Sequence, residues 1–552
     1  MKKIFLFCVM LLAFSIKSYS QTAKFSPEFE TDERFTYPVF IGSDDKSFCV
    51  LRFKNVDYTG KNLFDNRQGR AMLGLLGFAK FENDRFLRNT DNINNDRVEY
   101  TIEKYSFDLK QEWSSEVDFA FYKKNPDYKG KSLYIKKAFY LDEKVIAFSS
   151  IYKRNKKENE TVISWHTIGK DGKFSEAIKP LSTFVGDDDA YGASINPYEI
   201  MLSQDKSKFM LMHTINIEDN PSPKFIFETF DAKTMEKAGK TEFSIPLKEG
   251  EGYEIYDCQV SKSGNMYLQL KVFLNKEERK AKKMDAKYVL YRATKDGTVN
   301  VIDVSNGDNL VVDLKLNFTA DGSKGYIMGY SSSKTMSRPT GYYVINFDDA
   351  TGKIENSVFK DFTPAFIKDA TGAEKEGDKE DLNNFHVRDF MIEPDGSIIV
   401  TSEVYTVFVQ VTDRVYGIPV RFSFSYRYYD MLLFKLNKTG EMTWNKIIPK
   451  AQKTSDDGGV FISYIQTRNA DEITLIYNGN PKDVNKTMYN RNSAIAYIST
   501  VTIGGEVKTK PLFDAREAES ILNPRMSFVT PTNDLIFYNS KKKTFKWAKV
   551  KF

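Results

Sequence analysis

The feature that most constrains the fold is a polar tight turn that returns along the whole chain, each time between two apolar runs of strand length. It reads Ser43-Asp44-Asp45-Lys46, Leu141-Asp142-Glu143-Lys144, Ser203-Gln204-Asp205-Lys206, Ser261-Lys262-Ser263-Gly264, Ala320-Asp321-Gly322-Ser323 and Glu393-Pro394-Asp395-Gly396. Fainter copies are Asn469-Ala470-Asp471-Glu472 and Pro531-Thr532-Asn533-Asp534. A second turn follows in most units, as in Lys170-Asp171-Gly172-Lys173, Lys295-Asp296-Gly297-Thr298, Ala350-Thr351-Gly352-Lys353, Lys438-Thr439-Gly440-Glu441 and Ile503-Gly504-Gly505-Glu506. Such turns favour tight hairpins because Gly, and less readily Asn or Asp, accepts positive φ. Two hairpins in succession make a four-stranded meander, and repeated meanders of this size are the blades of a β-propeller. The abundance of Tyr and Phe, 31 and 43 residues, and the scarcity of long helical periodicity also point to an all-β chain.

Counting first turns gives eight units, starting near Arg34, Leu133, Ala193, Gly252, Asn309, Asn383, Gly459 and Pro524. Seven blades is the alternative, because the second and seventh turns are weakly marked. The last unit supplies only three strands, so its outer strand is expected from Lys24 to Thr31, closing the ring by pairing the chain's two ends and leaving no open sheet edge. Two segments break the pattern. Residues 61–96 form an insertion with a short helix around Ala71 to Ala79, and Asp514 to Leu522 reads as a one-to-two-turn helix capped by Asp514.

Residues 1–20 have the layout of a secretory leader: Lys2 and Lys3, the apolar run Ile4 to Phe14, and small residues at Ser18 and Ser20. Cys8 lies inside that run and not at the cleavage point, which argues against a lipid anchor. No later stretch approaches the roughly 20 apolar residues that span a bilayer. A periplasmic or secreted protein is expected, comprising a single propeller domain over residues 21–552. The leader carries Lys2, Lys3 and Lys17 and no acid, so the net charge of +5 becomes 5 − 3 = +2 without it. That balance gives no electrostatic reason to expect a nucleic-acid partner. Cys49 and Cys258 fall on the second strand of blade 1 and the first of blade 4, nearly across the ring. A bond needs Cα atoms within roughly 7 Å, so two free, buried thiols are expected.

The first turns resemble the Ser-Pro-Asp-Gly-Lys type of TolB-like propeller repeats. Tyr428 to Leu436, Trp444 to Gln452 and Asp456 to Gly459 are similar to a segment of uncharacterised secreted proteins of the Bacteroidota. These resemblances imply a secreted propeller and hand over no catalytic residues.

Consecutive antiparallel strands send both kinds of tight turn to one face of the disc. The other face collects the longer loops, among them Lys153 to Glu160, Asn275 to Lys287, Lys368 to Leu382, Thr412 to Pro419 and Asn480 to Arg491. Binding residues gather on long loops held by a rigid scaffold, so the loop face is the candidate surface. Its most specific feature is an oversized hairpin in the sixth unit, residues 403–429. On the returning strand Phe422, Phe424, Tyr426 and Tyr428 alternate with Arg421, Ser423, Ser425 and Arg427, and the outgoing strand adds Tyr405. With Tyr416 at its tip, these residues form an aromatic face and a cationic, polar face. Either the arm projects and offers the stripe to a partner, or it folds back onto the loops above the ring.

Catalytic motifs are absent: there is no Gly-x-Ser-x-Gly elbow, no His-Glu-x-x-His and no cofactor signature. His166, His213 and His386 read as strand residues, Asp187 to Asp189 as a solvated loop rather than a calcium site, and Lys276 to Lys287 as a solvated hairpin tip. No metal site is expected. The sequence thus points to a protein-binding or scaffolding module of the cell envelope, its partner an envelope protein or glycan. The rival is a glycan- or peptide-active hydrolase with carboxylates in the central funnel.

Overall fold

The structure, a computed structural model, describes residues 23–31, 38–55, 98–118, 133–154, 159–175, 179–186, 198–203, 205–217, 220–282, 284–305, 310–336, 338–415, 418–455, 457, 459–469, 471–483, 493–541 and 544–551. The leader, the insertion with its expected helix around Ala71 to Ala79, and Asp187 to Asp189 lie outside them.

Eight antiparallel sheets follow one another in chain order. Blade 1 comprises Val39–Ser43, Ser47–Asn55, Val98–Ser106 and Gln111–Glu116; blade 2, Leu133–Leu141, Lys144–Arg154, Asn159–Ile168 and Lys179–Gly186. Blade 3 has Tyr198–Leu202, Lys208–Ile217, Asn220–Asp231 and Lys237–Ser244; blade 4, Gly252–Val260, Met266–Phe273, Ala286–Ala293 and Val299–Ile302. In blade 5 the inner strand comes in two pieces, Leu310–Val311 and Lys315–Phe318, followed by Lys324–Ser332, Gly341–Asp348 and Ile354–Asp361. Blade 6 has Phe385–Ile392, the long strands Ile398–Val415 and Ile418–Leu436, then Met442–Ile448, with Gln452–Ser455 as an extra strand. Blade 7 is Tyr464–Arg468, Glu472–Gly479, Ile495–Thr502 and Val507–Asp514; blade 8, Ile521–Val529, Leu535–Lys541 and Thr544–Val550. Lys24–Phe25 and Phe29–Glu30 pair with Thr544–Val550, in register Lys24↔Lys549 and Phe29↔Phe545. The inner strands of blades 8 and 1 lie against each other.

Alternation along each strand sends one row of side chains toward the preceding blade and one toward the next, so the cores sit between blades. Ile399, Met431 and Leu433 of blade 6 pack with Ile473, Leu475, Tyr477 and Val501 of blade 7, all fully buried. Each such side chain contributes roughly 1.5 to 3 kcal/mol on burial, repeated around the ring. Buried polar side chains then tie blade to blade. Asp313 accepts the backbone N–H of Tyr330 with one carboxylate oxygen and that of Val387 with the other, both at 2.8 Å, linking blades 5 and 6. Asn478 donates to the carbonyls of Phe461 at 2.9 Å and Leu522 at 2.8 Å, linking blade 7 to blade 8.

The turns behave as their composition requires. In Glu393-Pro394-Asp395-Gly396, Gly396 takes φ 82° and the Asp395 carboxylate accepts the Ser397 N–H at 2.9 Å. Three expectations are corrected. Asp514 ends a strand, and the next residues make a turn in which Ser520 N–H bonds Ala515 C=O, because Ile521 must already begin the inner strand of blade 8. The basic run of blade 4 is not a hairpin tip but a helix, α1 (Lys276–Lys282), whose first turn is capped by Asn275 Oδ1 accepting Glu278 N–H at 3.0 Å. The connection after blade 5 opens with a second helix, α2 (Pro364–Thr371), capped by Thr363 and ended by Gly372 in the left-handed region. Both cysteines are free. Cys49 is buried as expected, whereas Cys258 is only half-buried.

Candidate functional site

The blade 6 hairpin outgrows its sheet. Its inner neighbour stops at Phe385, opposite Val404, so Tyr405 to Val415 run on for roughly 35 Å at about 3.4 Å per residue. One face pairs Tyr405 with Tyr428, Val407 with Tyr426, Val409 with Phe424 and Val411 with Phe422. The other pairs Thr406 with Arg427, Phe408 with Ser425 and Gln410 with Ser423. The extra strand Gln452–Ser455 flanks only the base, from Tyr428 to Ser425.

The base of the aromatic face folds back. Tyr426 and Tyr428 are buried against Val460, Phe461, Ile462, Ala494, Ala515 and Ile521, with Tyr405, Val407 and Phe424 partly buried beside them. Tyr428 also accepts a hydrogen bond from Arg525 of blade 8 at 3.0 Å. At its base the arm thus takes the second of the two alternatives, folding back onto the ring, which removes these two tyrosines from water. On the opposite face Phe408 is 47% exposed and Gln410 is exposed, while the half-buried Arg427 lays its guanidinium over the Phe408 ring at 4.4 Å. Arg421 pairs with Asp413 in the backbone register. Its side chain and that of Phe422, and all of Tyr416, lie outside the described residues.

Beneath the hairpin is an ionic cluster that composition did not single out. Glu403 and Lys450 are both fully buried, with Lys450 Nζ 2.5 Å from Glu403 Oε1 and 3.0 Å from Gln452 Oε1. Glu403 Oε2 accepts from Ser463 Oγ at 2.8 Å and faces Arg388 Nε at 3.4 Å. Burial pushes the Lys450 ammonium below its ordinary value, with Glu403 acting against that. The signal was present as two charges inside apolar runs, Ile398 to Val404 and Ile447 to Ala451, yet nothing in the spacing paired them.

From this cluster an aromatic chain leads to the inner strand of blade 6. Tyr428 stacks on Tyr405 at 5.4 Å, Tyr405 lies 4.6 Å from the His386 ring, and the Arg388 guanidinium sits 5.2 Å from Tyr405. His386 Nδ1 is 3.9 Å from Asp313. Burial pushes Asp313 up to about 6, while the two backbone N–H groups act against it. Burial first, then the nearby cations Arg388, Lys315 and Lys271, hold His386 down at about 4, so it is neutral at neutral pH. His166, hydrogen-bonded to Ser149 at 2.7 Å, and His213, stacked on Phe184 at 4.2 Å, are buried strand residues in blades 2 and 3. Burial drives both to about 4.

The turn face carries an open depression of about 810 Å³ between the turns of blades 1 to 3, bordered by Asp44, Asp142, Asp205 and Asp231. Asp44, Asp205 and Asp231 are turn acceptors: Asp44, for one, takes Ser47, Lys46 and Tyr140 as donors. These bonds hold Asp44 at about 2 although burial pushes the other way. Among the described residues there is no cluster of three or more His, Cys, Asp or Glu side chains suited to a metal ion. No helix among them is long and apolar enough to cross a membrane.

No protein-family model matches the chain, and no curated protein does. Among solved structures it is similar to other propellers. The WD40 domain of SCAP from fission yeast is 9% identical, with 97% of this chain and 98% of that one covered and a TM-score of 0.35. TolB from Acinetobacter baumannii is 12% identical over 75% of this chain and 76% of its own, with a TM-score of 0.23. The β-propeller domain of the Trilobed protease from Pyrococcus furiosus is 10% identical over 62% and 78%, with a TM-score of 0.30. At these values the likenesses carry no functional argument.

Proposed function

We propose that this chain is an exported binding or scaffolding module of the cell envelope, and that its contact surface is the loop face around the blade 6 hairpin. The observation that carries the reading is the division of labour within that hairpin. Its base is locked by Tyr426, Tyr428 and the Glu403–Lys450 pair, while Phe408 stays exposed on the other face with the half-buried Arg427 over its ring. A rigid base holding an exposed aromatic under a guanidinium suits recognition, since aromatic residues and Arg dominate contact energies. The leader-like start of the chain supports export, and an envelope protein or glycan is the partner class.

The hydrolase reading draws on one observation, the raised Asp313 carboxyl beside His386. Both Asp313 oxygens are engaged by backbone N–H groups that join blades 5 and 6, which accounts for the residue structurally. The test is a photo-cross-linking amino acid at Phe408, compared with one at Lys262 on the turn face. In native envelopes the first is expected to trap a discrete partner and the second none. Equal or absent trapping at both positions would contradict the reading.

A further inference from the structure

One side of the blade 6 hairpin is a strand edge without a strand beside it. Among the described residues, Ile398–Val415 is flanked by Phe385–Ile392 only as far as Val404, and beyond that point it pairs with the returning strand alone. The next residue fixes the phase of this edge. Tyr405 N–H bonds Asn384 C=O at 3.3 Å, so the Tyr405 backbone points away from the returning strand. Backbone groups alternate sides along a strand, and the register with the returning strand is regular from Tyr405 to Val411. Val407, Val409 and Val411 therefore aim their N–H and C=O groups outward in turn.

Native sheets blunt an open edge with charge, Pro or a bulge. This one carries none of them over its regular length. Tyr405 to Val411 reads Tyr-Thr-Val-Phe-Val-Gln-Val, and the register shifts come only before and after it. Phe408 and Gln410 are exposed, with Val407, Val409 and Val411 half-buried between them.

The edge is also complementary to itself. Turning a second copy about a two-fold axis through Val409, perpendicular to the sheet, sets Val409 opposite Val409 and Val407 opposite Val411. These are the residues whose backbone groups point outward, so each pair exchanges two hydrogen bonds. Their side chains then form a continuous β-branched row on one face. On the other face Phe408 meets Gln410, and the two Phe408 side chains become diagonal neighbours at roughly 7 to 8 Å, within reach of aromatic rings. No charge lies along the paired stretch to oppose the approach.

We propose that a second copy of this chain pairs antiparallel along Val407 to Val411, joining two blade 6 sheets into one. A contact this short belongs with interfaces below about 1,200 Å², so association in the micromolar range is expected. The pairing uses the backbone edge of the ribbon and goes beyond recognition of an envelope partner by the Phe408 face.

The test is sedimentation equilibrium of the full chain at about 1 to 100 μM, which brackets that range. A dimer is expected, and Val409→Pro should weaken it at least tenfold with the urea midpoint unchanged, because the N–H that proline removes faces outward. Val409→Lys sets two like charges opposite each other and gives the same reading should proline disturb the fold. Under mild oxidation Val409→Cys should link two copies, its Cα atoms facing each other at roughly 5.5 Å. Thr406→Cys should not, because its two copies stand about 20 Å apart along the ribbon. A chain that stays monomeric throughout overturns the proposal, as does a dimer indifferent to both Val409 variants or equal linking at positions 406 and 409. A monomeric chain that still traps a different protein at Phe408 overturns this proposal alone and leaves the envelope reading standing.

Discussion

Removing the Glu403 charge should damage the fold more than removing its partner. In Glu403→Gln, Lys450 remains fully buried with its ammonium near Gln452 Oε1 at 3.0 Å, having lost the carboxylate at 2.5 Å. An ion left buried without its counter-charge costs about 3 to 5 kcal/mol. In Lys450→Met the strained partner is Glu403, which keeps Ser463 at 2.8 Å and Arg388 at 3.4 Å, so about 1 to 3 kcal/mol is expected. The double variant replaces both charges and should be more stable than Glu403→Gln alone, giving a coupling of at least about 1 kcal/mol. Urea unfolding followed by tryptophan fluorescence reads this, with slopes compared so that only midpoint shifts are interpreted. A Glu403→Gln variant within about 1 kcal/mol of the parent, or strictly additive losses, would refute the argument that this pair is buried and mutually dependent.

Acid should weaken the protein through its histidines. Their folded pKa values near 4 lie below the ordinary 6.5, so the stability they contribute is present above 6.5 and lost as the pH falls through 4, about 3 kcal/mol for each fully buried ring. Asp313, raised to about 6 from 3.8, acts in the opposite sense, its cost fading over that range. His166→Gln should therefore flatten the stability profile between pH 6.5 and 4; an unchanged slope would count against a buried neutral imidazole. A thiol reagent should modify Cys258 in the folded protein and Cys49 only after unfolding, since Cys49 is buried and its thiol is pushed up to about 12. Equal rates at both would contradict the blade 1 core. Gly172 has φ 75° and an added Cβ would meet the Glu116 carbonyl oxygen at 1.9 Å, whereas Gly377, φ 88°, has nothing within 4 Å. Gly172→Ala should lower the urea midpoint well beyond the backbone penalty of about 1 kcal/mol expected for Gly377→Ala.

The ring was legible in the chain because each blade needs a turn with special backbone angles, and those positions restrict residue choice. Even Asp142 and Glu143, which take φ 48° and 60° without glycine, sit where the repeat requires them. Both helices had signals that the repeat obscured. Asn275 precedes a run of strong helix formers, and Thr363-Pro364 with Gly372 brackets the second helix, yet each lies where a propeller needs only a connection. Asp514 to Leu522 failed the other way, since local capping chemistry yielded to the tertiary demand for a strand at Ile521. At the hairpin, alternation identified the two faces but not which one would be covered. That depended on Val460, Phe461, Ile462 and Arg525, supplied by later blades. The Glu403–Lys450 pair, 47 residues apart in sequence, was out of reach for the same reason.

The most direct measurement shortens the outer ribbon, replacing Phe408 to Ser425 with an Asn-Gly turn across the Val407–Tyr426 pair and leaving Tyr405, Val407, Tyr426 and Tyr428 in place. Folding is checked by the urea midpoint, and partner capture from native envelopes is compared with the parent chain. An unchanged midpoint with loss of a partner that the parent captures is the result expected of a contact arm on a locked base. A variant that unfolds, or one that stays folded and captures the same partner undiminished, would contradict it.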